Sequence, residues 1–139
     1  MAIKNFQEEF TVSSSKRTQL IDITGKVERL VKASKIKSGL CIVFVPHATA
    51  AVIMNENESG LVKDMEDYIK KNFPVGAGYA HDKIDDNADA HVASAFIGQS
   101  RMLPIKDGTI VRGTWQNIFV VELYGPRNSR RVVVSVVGK

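Results

Sequence analysis

Three histidines stand beside groups able to work with them: Glu56 and Asn57 follow His47, Asp82 adjoins His81, and Asn87 and Asp89 precede His91. An imidazole changes charge near neutral pH, so with a carboxylate beside it the ring can pass protons. Its unprotonated nitrogen can also ligate zinc or another divalent metal. The spacing selects neither role: the chain has no His-x-x-x-His pair, no candidate cysteine ligand and no Walker-type glycine loop. Each histidine also has a structural alternative: a strand-end residue at 47, an exposed loop residue at 81, and a helix residue bonded to a carbonyl at 91.

Two further segments put polar residues where apolar ones are expected. Glu122 interrupts the run from Ile118 to Leu123, and a carboxylate on a buried strand face needs a metal, an arginine or another hydrogen-bonding partner. In Gly113-Thr114-Trp115-Gln116 a strand opens with a glycine and sets an aromatic ring beside an amide, a combination that either lines a pocket or plugs the end of a sheet. Basic residues crowd the C-terminal third at Arg101, Arg112, Arg127, Arg130 and Arg131, which suits an anionic ligand. Arginines in a hairpin are also commonly no more than solvated charges.

The elements that must position these groups follow from periodicity and turn residues. Phe6, Glu8, Phe10 and Val12 alternate with polar neighbours, predicting a half-buried strand, and a short strand follows at Gln19 to Ile23. Thr24 is a suitable N-cap for a helix with Val27, Leu30, Val31 and Ser34 on one face, and Gly39 ends that helix or the loop after it. Leu40 to Val45 is continuously apolar and rich in β-branched residues, predicting a central strand buried on both faces, with Pro46 and His47 beyond it. After the apolar stretch Ala50 to Met54, a second helix turns Leu61, Met65, Tyr68, Ile69 and Phe73 inward until Pro74 stops it. The segment Val75 to Asp86 carries two glycines and little periodicity, predicting a long loop around His81. Asn87 then caps a third helix through Ala88, Val92, Ala95 and Phe96 to Gly98, with Asp89 and His91 in its first turns. Antiparallel strands are expected at Arg101 to Ile105, Thr109 to Arg112, Gln116 to Tyr124 and Arg130 to Val137. A Lys106-Asp107-Gly108 turn and a longer hairpin loop over Gly125 to Ser129 link them.

A chain of 139 residues, 44% hydrophobic and 24% charged, fits one domain spanning 1–139 with a real core and no stretch biased toward disorder. Cys41 is the only cysteine and lies inside an apolar run, so it is expected in the core without a disulfide, as suits the cytoplasm. The first residues lack the apolar centre of a signal peptide, and no run of roughly eighteen apolar residues occurs, so neither secretion nor a membrane partner is expected. The net charge of +4 is mild and Trp115 stands in no basic stripe, so nucleic acid is not an expected partner either.

Asn87-Ala88-Asp89-Ala90-His91, Gly98-Gln99-Ser100, Pro104-Ile105 with Asp107-Gly108, Gly113 to Phe119, and Glu122 with Gly125-Pro126-Arg127 together resemble the YjbQ-like family of secondary thiamine-phosphate synthases. Pro46-His47-Ala48-Thr49-Ala50 and Asn55-Glu56-Asn57 extend the resemblance over nearly the whole chain. Ala48 departs from it, since the family more often has a threonine there. The resemblance implies a small α+β domain, a curved and mainly antiparallel β-sheet with two to three helices packed on it, assembled as a homotrimer. The activity it implies joins hydroxymethylpyrimidine diphosphate to thiazole phosphate and releases pyrophosphate, as a weak, secondary activity. A leaving group gaining charge and an electron-poor methylene call for cations on one side of the site and a shielded pocket on the other.

Carried onto this chain, the resemblance implies that His47, His81 and His91 hold a divalent metal, zinc or magnesium, or polarise phosphate oxygens. Asn87, Asp89 and His91 would carry the chemistry, with Asp89 orienting a histidine or completing the metal shell. Arg127 and Arg130 would hold the phosphate of a small phosphorylated metabolite, Trp115 and Gln116 would line the base pocket, and Glu56 and Glu122 would complete the substrate site. Two alternatives share these residues: a metal-dependent hydrolase of a small phosphorylated metabolite, and a non-catalytic trimer that binds a ligand.

Overall fold

The computed structural model describes residues 2–139. In chain order the elements are β1 (Lys4–Val12), β2 (Gln19–Asp22), α1 (Thr24–Ser34), β3 (Ser38–Phe44), β4 (Ala50–Asn55), α2 (Ser59–Asn72), α3 (Ala88–Ile97), β5 (Ser100–Lys106), β6 (Thr109–Ile110), β7 (Asn117–Glu122) and β8 (Arg130–Gly138). A 3-10 turn at Ala80–Lys83 lies between α2 and α3. The strand pairs are antiparallel, and the curled sheet divides into a five-stranded part ordered β1-β8-β3-β5-β6 and a three-stranded part ordered β2-β7-β4. This is the α+β fold expected from the sequence, with three helices.

Alternation along the strands sorts the apolar side chains into two cores. Cys41 and Val43 of β3, Leu103 and Ile105 of β5, and Val132, Val134 and Val136 of β8 pack with Val52, Ile118 and Val120 of the smaller sheet and with Val27 and Val31 of α1. The other face of the smaller sheet, Ala51, Phe119 and Val121, is covered by Ala90 and Ala93 of α3 and by Met65 and Ile69 of α2. The strand buried on both faces is therefore β7, which is why its sequence is apolar without alternation. The strand from Leu40, β3, is central in the five-stranded part as expected but is buried on one face only. Its Cys41 and Val43 are buried, but Leu40 and Phe44 are 45% and 41% exposed because no helix covers the outer face of the five-stranded sheet. Met102 and Val137, paired with Ile42 and Leu40, lie on the same bare face.

Several local details differ from expectation for identifiable reasons. Thr24 opens α1 without capping it: its hydroxyl accepts the Ile118 N–H at 2.8 Å, while Asp22 accepts the Thr24 N–H at 2.9 Å. The helix closes at Lys35, in the left-handed conformation (φ 59). Gly39 lies instead in β3, so close to β8 that a Cβ would stand 1.9 Å from the Val137 carbonyl oxygen. On α2, Tyr68 points outward, and the buried place goes to Glu66, which accepts from the Leu20 N–H and the Lys16 ammonium, each at 2.9 Å. On α3, Ala95 and Phe96 face solvent, while the small residues Ala88, Ala90 and Ala93 pack inward and let the helix lie close to the sheet. Asp107 and Gly108 make the expected hairpin turn, both at positive φ, but β6 is only two residues long. Gly125 to Ser129 forms no hairpin, because β7 and β8 belong to different parts of the sheet and the segment crosses between them. Among the described residues no helix is long and apolar enough to cross a membrane.

Candidate functional site

The segment between α2 and α3 brings two of the histidines together. Asp82 accepts the Tyr79 N–H at 3.2 Å and closes the 3-10 turn that carries His81 toward the start of α3. There the His81 and His91 rings meet edge to face, with centroids 5.2 Å apart and planes at 74°. His81 Nε2 lies 3.1 Å from Asn87 Oδ1. A carboxamide oxygen only accepts, so this bond puts a proton on Nε2 and leaves Nδ1 as the lone-pair nitrogen of the neutral ring. The same bond explains why Asn87, although at the N-cap position of α3, makes no side-chain cap. The Asn87 carbonyl accepts the His91 N–H at 3.1 Å, whereas the half-buried His91 ring makes no hydrogen bond among the described residues. One imidazole is anchored, and its neighbour is available.

Asp89 does not join this pair. Residues two apart on a helix point to nearly opposite sides, and Asp89 turns inward, where Arg17 Nη2 binds its carboxylate at 2.8 Å. The same nitrogen donates to the Asp86 carbonyl at 3.0 Å. The Arg17 guanidinium lies 5.1 Å from the centre of the Tyr124 ring, with Arg127 over that ring at 4.4 Å. The Tyr124 hydroxyl donates to Asp86 at 2.5 Å, a bond that holds the Asp86 carboxyl below its usual range and raises the Tyr124 phenol. Arg17 and Tyr124 thus strap the segment bearing Asp86, Asn87 and Asp89 to the end of β7. Sequence reasoning passed over both, since a lone arginine in a serine-rich loop and a strand-end tyrosine have no spacing to betray them.

At that end of β7, Glu122 is fully buried and has the arginine partner its position demands. Arg130 Nε donates to both carboxylate oxygens at 3.0 Å, and Nη2 approaches to 2.5 Å. Ser14 Oγ at 2.6 Å and the N–H groups of Leu123 and Tyr124 at 3.1 Å complete the shell, while Arg130 Nη2 also donates to the carbonyl and hydroxyl of Thr49, each at 3.0 Å. Burial acts to raise the Glu122 carboxyl, but the hydrogen bonds from Arg130 and Ser14 outweigh it and hold it below the usual range. A substrate contact through Arg130 Nε or Nη2 would first have to break this network.

His47 borders the same network. Its Nε2 accepts the Arg131 N–H at 2.8 Å, and burial, followed by the Arg130 and Arg131 charges, lowers its pKa. A neutral imidazole has one lone pair. With that pair on Nε2 already engaged, Nδ1 carries the proton and His47 does not fit as a metal ligand in this arrangement. Among the described residues no three His, Cys, Asp or Glu side chains are gathered closely enough to hold a metal ion. His81 and His91 do supply two adjoining imidazoles, half of a four-ligand zinc shell. Cys41 is a buried thiol pushed up to about 11 by burial and takes no part.

The remaining candidates lie at the opposite end of β7, whose six residues span roughly 17 Å. Asn117 at its start pairs with Asn55, the residue before Glu56. Asp22 there accepts from Asn57 Nδ2 at 2.8 Å, Asn117 Nδ2 at 2.7 Å and the Thr24 N–H at 2.9 Å. Burial acts to raise the Asp22 carboxyl, and these bonds outweigh it. Gln116 Oε1 accepts the Gly113 N–H at 2.7 Å, and Trp115 is 70% exposed, neither plugging the sheet nor walling the histidine pair within one chain.

A family model described as UPF0047 protein YjbQ-like matches residues 8–139. The chain is 44% identical over 134 residues to a UPF0047 protein of Methanothermobacter thermautotrophicus, covering 96% of this chain and 93% of that protein. It is 31% identical to the UPF0047 protein YugU of Bacillus subtilis, covering 91% and 96% respectively. The crystal structure of a YbjQ-like protein of unknown function from Sulfolobus solfataricus P2 superposes with a TM-score of 0.98 at 43% identity, over 99% of this chain and 100% of that one. A hypothetical protein from Aeropyrum pernix K1 superposes at 0.93 and 40% identity, over 96% and 99%. The match runs from β1 to the end of β8 and takes in the histidine pair, the Glu122–Arg130 pair and every element that carries them, and the chain belongs to the YjbQ-like UPF0047 family.

Proposed function

We propose that the His81–His91 pair is an acid–base site acting on a small phosphorylated metabolite. The observation that carries this reading is the pair itself: two imidazoles in contact, one fixed by Asn87 and the other without a hydrogen-bond partner on its ring among the described residues. An anchored ring can orient a bound group while its neighbour gives or takes a proton. Arg127, exposed over Tyr124, is a cation suited to a phosphate. The exposed Asp82, Asp85 and Asp86 beside the pair disfavour a bare phosphate and favour one that arrives with a cation. The alternative is a divalent metal held by His81 and His91, zinc rather than magnesium for two imidazoles, which would supply that positive charge to the phosphate oxygens but would occupy the lone pairs that acid–base work needs. Pyrophosphate-releasing transfer, the reaction that the sequence resemblance implies, suits such a site because the demand falls on the leaving group's charge.

The test supplies hydroxymethylpyrimidine diphosphate with and without thiazole phosphate and follows pyrophosphate and orthophosphate. We expect pyrophosphate release that depends on the acceptor and falls by about a hundredfold or more in His91→Ala. Orthophosphate released without acceptor would replace transfer by hydrolysis, and undiminished activity in His91→Ala would remove the pair from the mechanism.

The bare outer face of the five-stranded sheet belongs to the same reading. Leu40, Phe44, Met102 and Val137 form an apolar surface that a monomer would leave in water, and we propose that other copies of this chain cover it in a homotrimer. Sedimentation should show three times the chain mass, and Phe44→Lys should shift the protein to monomer.

A further inference from the structure

A cavity of about 580 Å³ opens between the C-terminal half of α1 and the β5–β6 turn. It lies at the end of the five-stranded sheet where Ser38 pairs with Lys106, away from the end that carries Phe44 and Arg131. Its floor is apolar: Ile110 is partly exposed there, and Val31 and Ile36 lie fully buried beneath it. Its rim carries Lys32, Lys35, Lys37 and Arg112 against only Glu28 and Asp107. Arg112 is paired with Glu28 at 3.0 Å, so those two charges cancel. None of the three lysines makes a salt bridge among the described residues.

Ordinary helix electrostatics account for Lys32, since a cation in the last turn of α1 meets the negative end of the helix dipole. They also favour a cation at the C-cap, Lys35, but do not reach Lys37. Lys37 lies beyond the helix and sets its ammonium beside Gly108, 3.4 Å from where a Cβ on that glycine would be. Lys35 holds a left-handed backbone (φ 59), a conformation in which glycine is unstrained. The backbone of Gly108 and Gly113 and the hydroxyl-bearing Thr109 and Thr114 complete the lining.

We propose that this cavity is a second ligand site, for a small organic anion with an apolar body and a dianionic head, of the phosphomonoester type. The head lies against Lys35 and Lys37 and the body on the partly exposed Ile110 and the alkyl stems of the rim lysines. The three lysines have no carboxylate paired to them among the described residues, and an anion placed among them supplies that partner. An apolar floor is what a plain patch of surface lysines lacks, and it selects a ligand with hydrophobic surface to bury. The volume falls within the range of about 300–1,000 Å³ usual for small-molecule sites.

The experiment titrates phenyl phosphate, inorganic phosphate and phenol separately into the ¹⁵N-labelled full chain and follows the backbone amides by NMR. Phenyl phosphate should shift Gly108, Thr109, Gly113 and Thr114 saturably, and bind about tenfold or more tightly than either fragment. The double variant Lys35→Gln, Lys37→Gln should lose about that factor while keeping the wild-type spectrum elsewhere and the pyrophosphate-releasing activity. Saturable shifts confined to residues 81–91 would assign phosphate binding to the histidine pair alone and overturn the second site. Undiminished binding by the double variant, or shifts that never saturate, would overturn it too. Equal affinity for inorganic and phenyl phosphate would overturn the ligand class. The amide shifts report on this cavity whether or not His91→Ala loses activity, so the two proposals fail separately.

Discussion

The two ends of β7 hold a carboxylate each and treat it in opposite ways. At the Asn117 end, Asp22 is served by neutral donors, the Thr24 N–H and the amides of Asn57 and Asn117, and it still reaches water. At the other end, Glu122 has no contact with water and is met by a guanidinium, a hydroxyl and two backbone N–H groups. Neutral donors suffice where solvent shares the work, whereas a buried carboxylate needs an opposite charge and a closed shell. The charged end is also the end beside the proposed histidine site. Ser14, Thr49, Tyr124 and the backbone of Arg131, which holds His47, are all tied to the Glu122–Arg130 pair or adjoin it.

The contrast can be broken most directly at Arg130. Arg130→Met leaves Glu122 buried and unpaired and should destabilise the protein by about 3–5 kcal/mol in urea titration, with most of the loss recovered when Glu122→Leu is added. A single-variant loss below about 1 kcal/mol would mean that water already reaches the pair. Asp22→Ala should cost less, about 1–2 kcal/mol, because its donors can turn to solvent; a loss equal to that of Arg130→Met would erase the difference between the ends.

Acid should then act in two stages. His47 has a folded pKa below its ordinary 6.5, so below that pH the unfolded chain takes up a proton that the folded one refuses. Its contribution is present above pH 6.5 and declines as pH falls, and His47→Gln should flatten the melting temperature between pH 7.5 and 5.5. Glu122 and Asp22 have lowered folded values, so their contribution is complete above the ordinary carboxyl range and is lost only as pH drops through it. The smallest effect is expected at Asn87. Asn87→Ala removes no cap bond and should change stability by less than about 0.5 kcal/mol, whereas a working N-cap would cost nearer 1 kcal/mol. It should nonetheless shift the pH profile of the activity proposed for the histidine pair, because His81 loses its anchor.

What was legible in the sequence depended on whether the cause was local. Glu122 stood out in its apolar run, and its need for a partner followed at once, but Arg130 could not be chosen because the two residues sit in different parts of the sheet. Asn87 has the residue type of a cap and the position of one, yet the His81 ring competes for its oxygen, a contact made by a turn with no periodic signature. Leu40 to Val45 and Ile118 to Leu123 are both continuous apolar runs, and only the second is covered on both sides by its own chain. Composition tells that a face is apolar, not what lies over it. The family resemblance assigns Trp115 and Gln116 to one site with the histidines, and within one chain the length of β7 separates them.

The double burial of β7 bears on how the protein comes apart. Its Ile118 and Val120 belong to one core and its Phe119 and Val121 to the other, and its backbone is laddered to β2 on one side and β4 on the other. Neither layer can open fully without stripping β7 of contacts that the second layer needs, so the two cores share a single opening event. The amide hydrogens of Ile118 to Val121 should therefore exchange with solvent only through global unfolding and serve as an internal clock for the whole chain, while those of Ala80 to Asp86 exchange through local fluctuations long before.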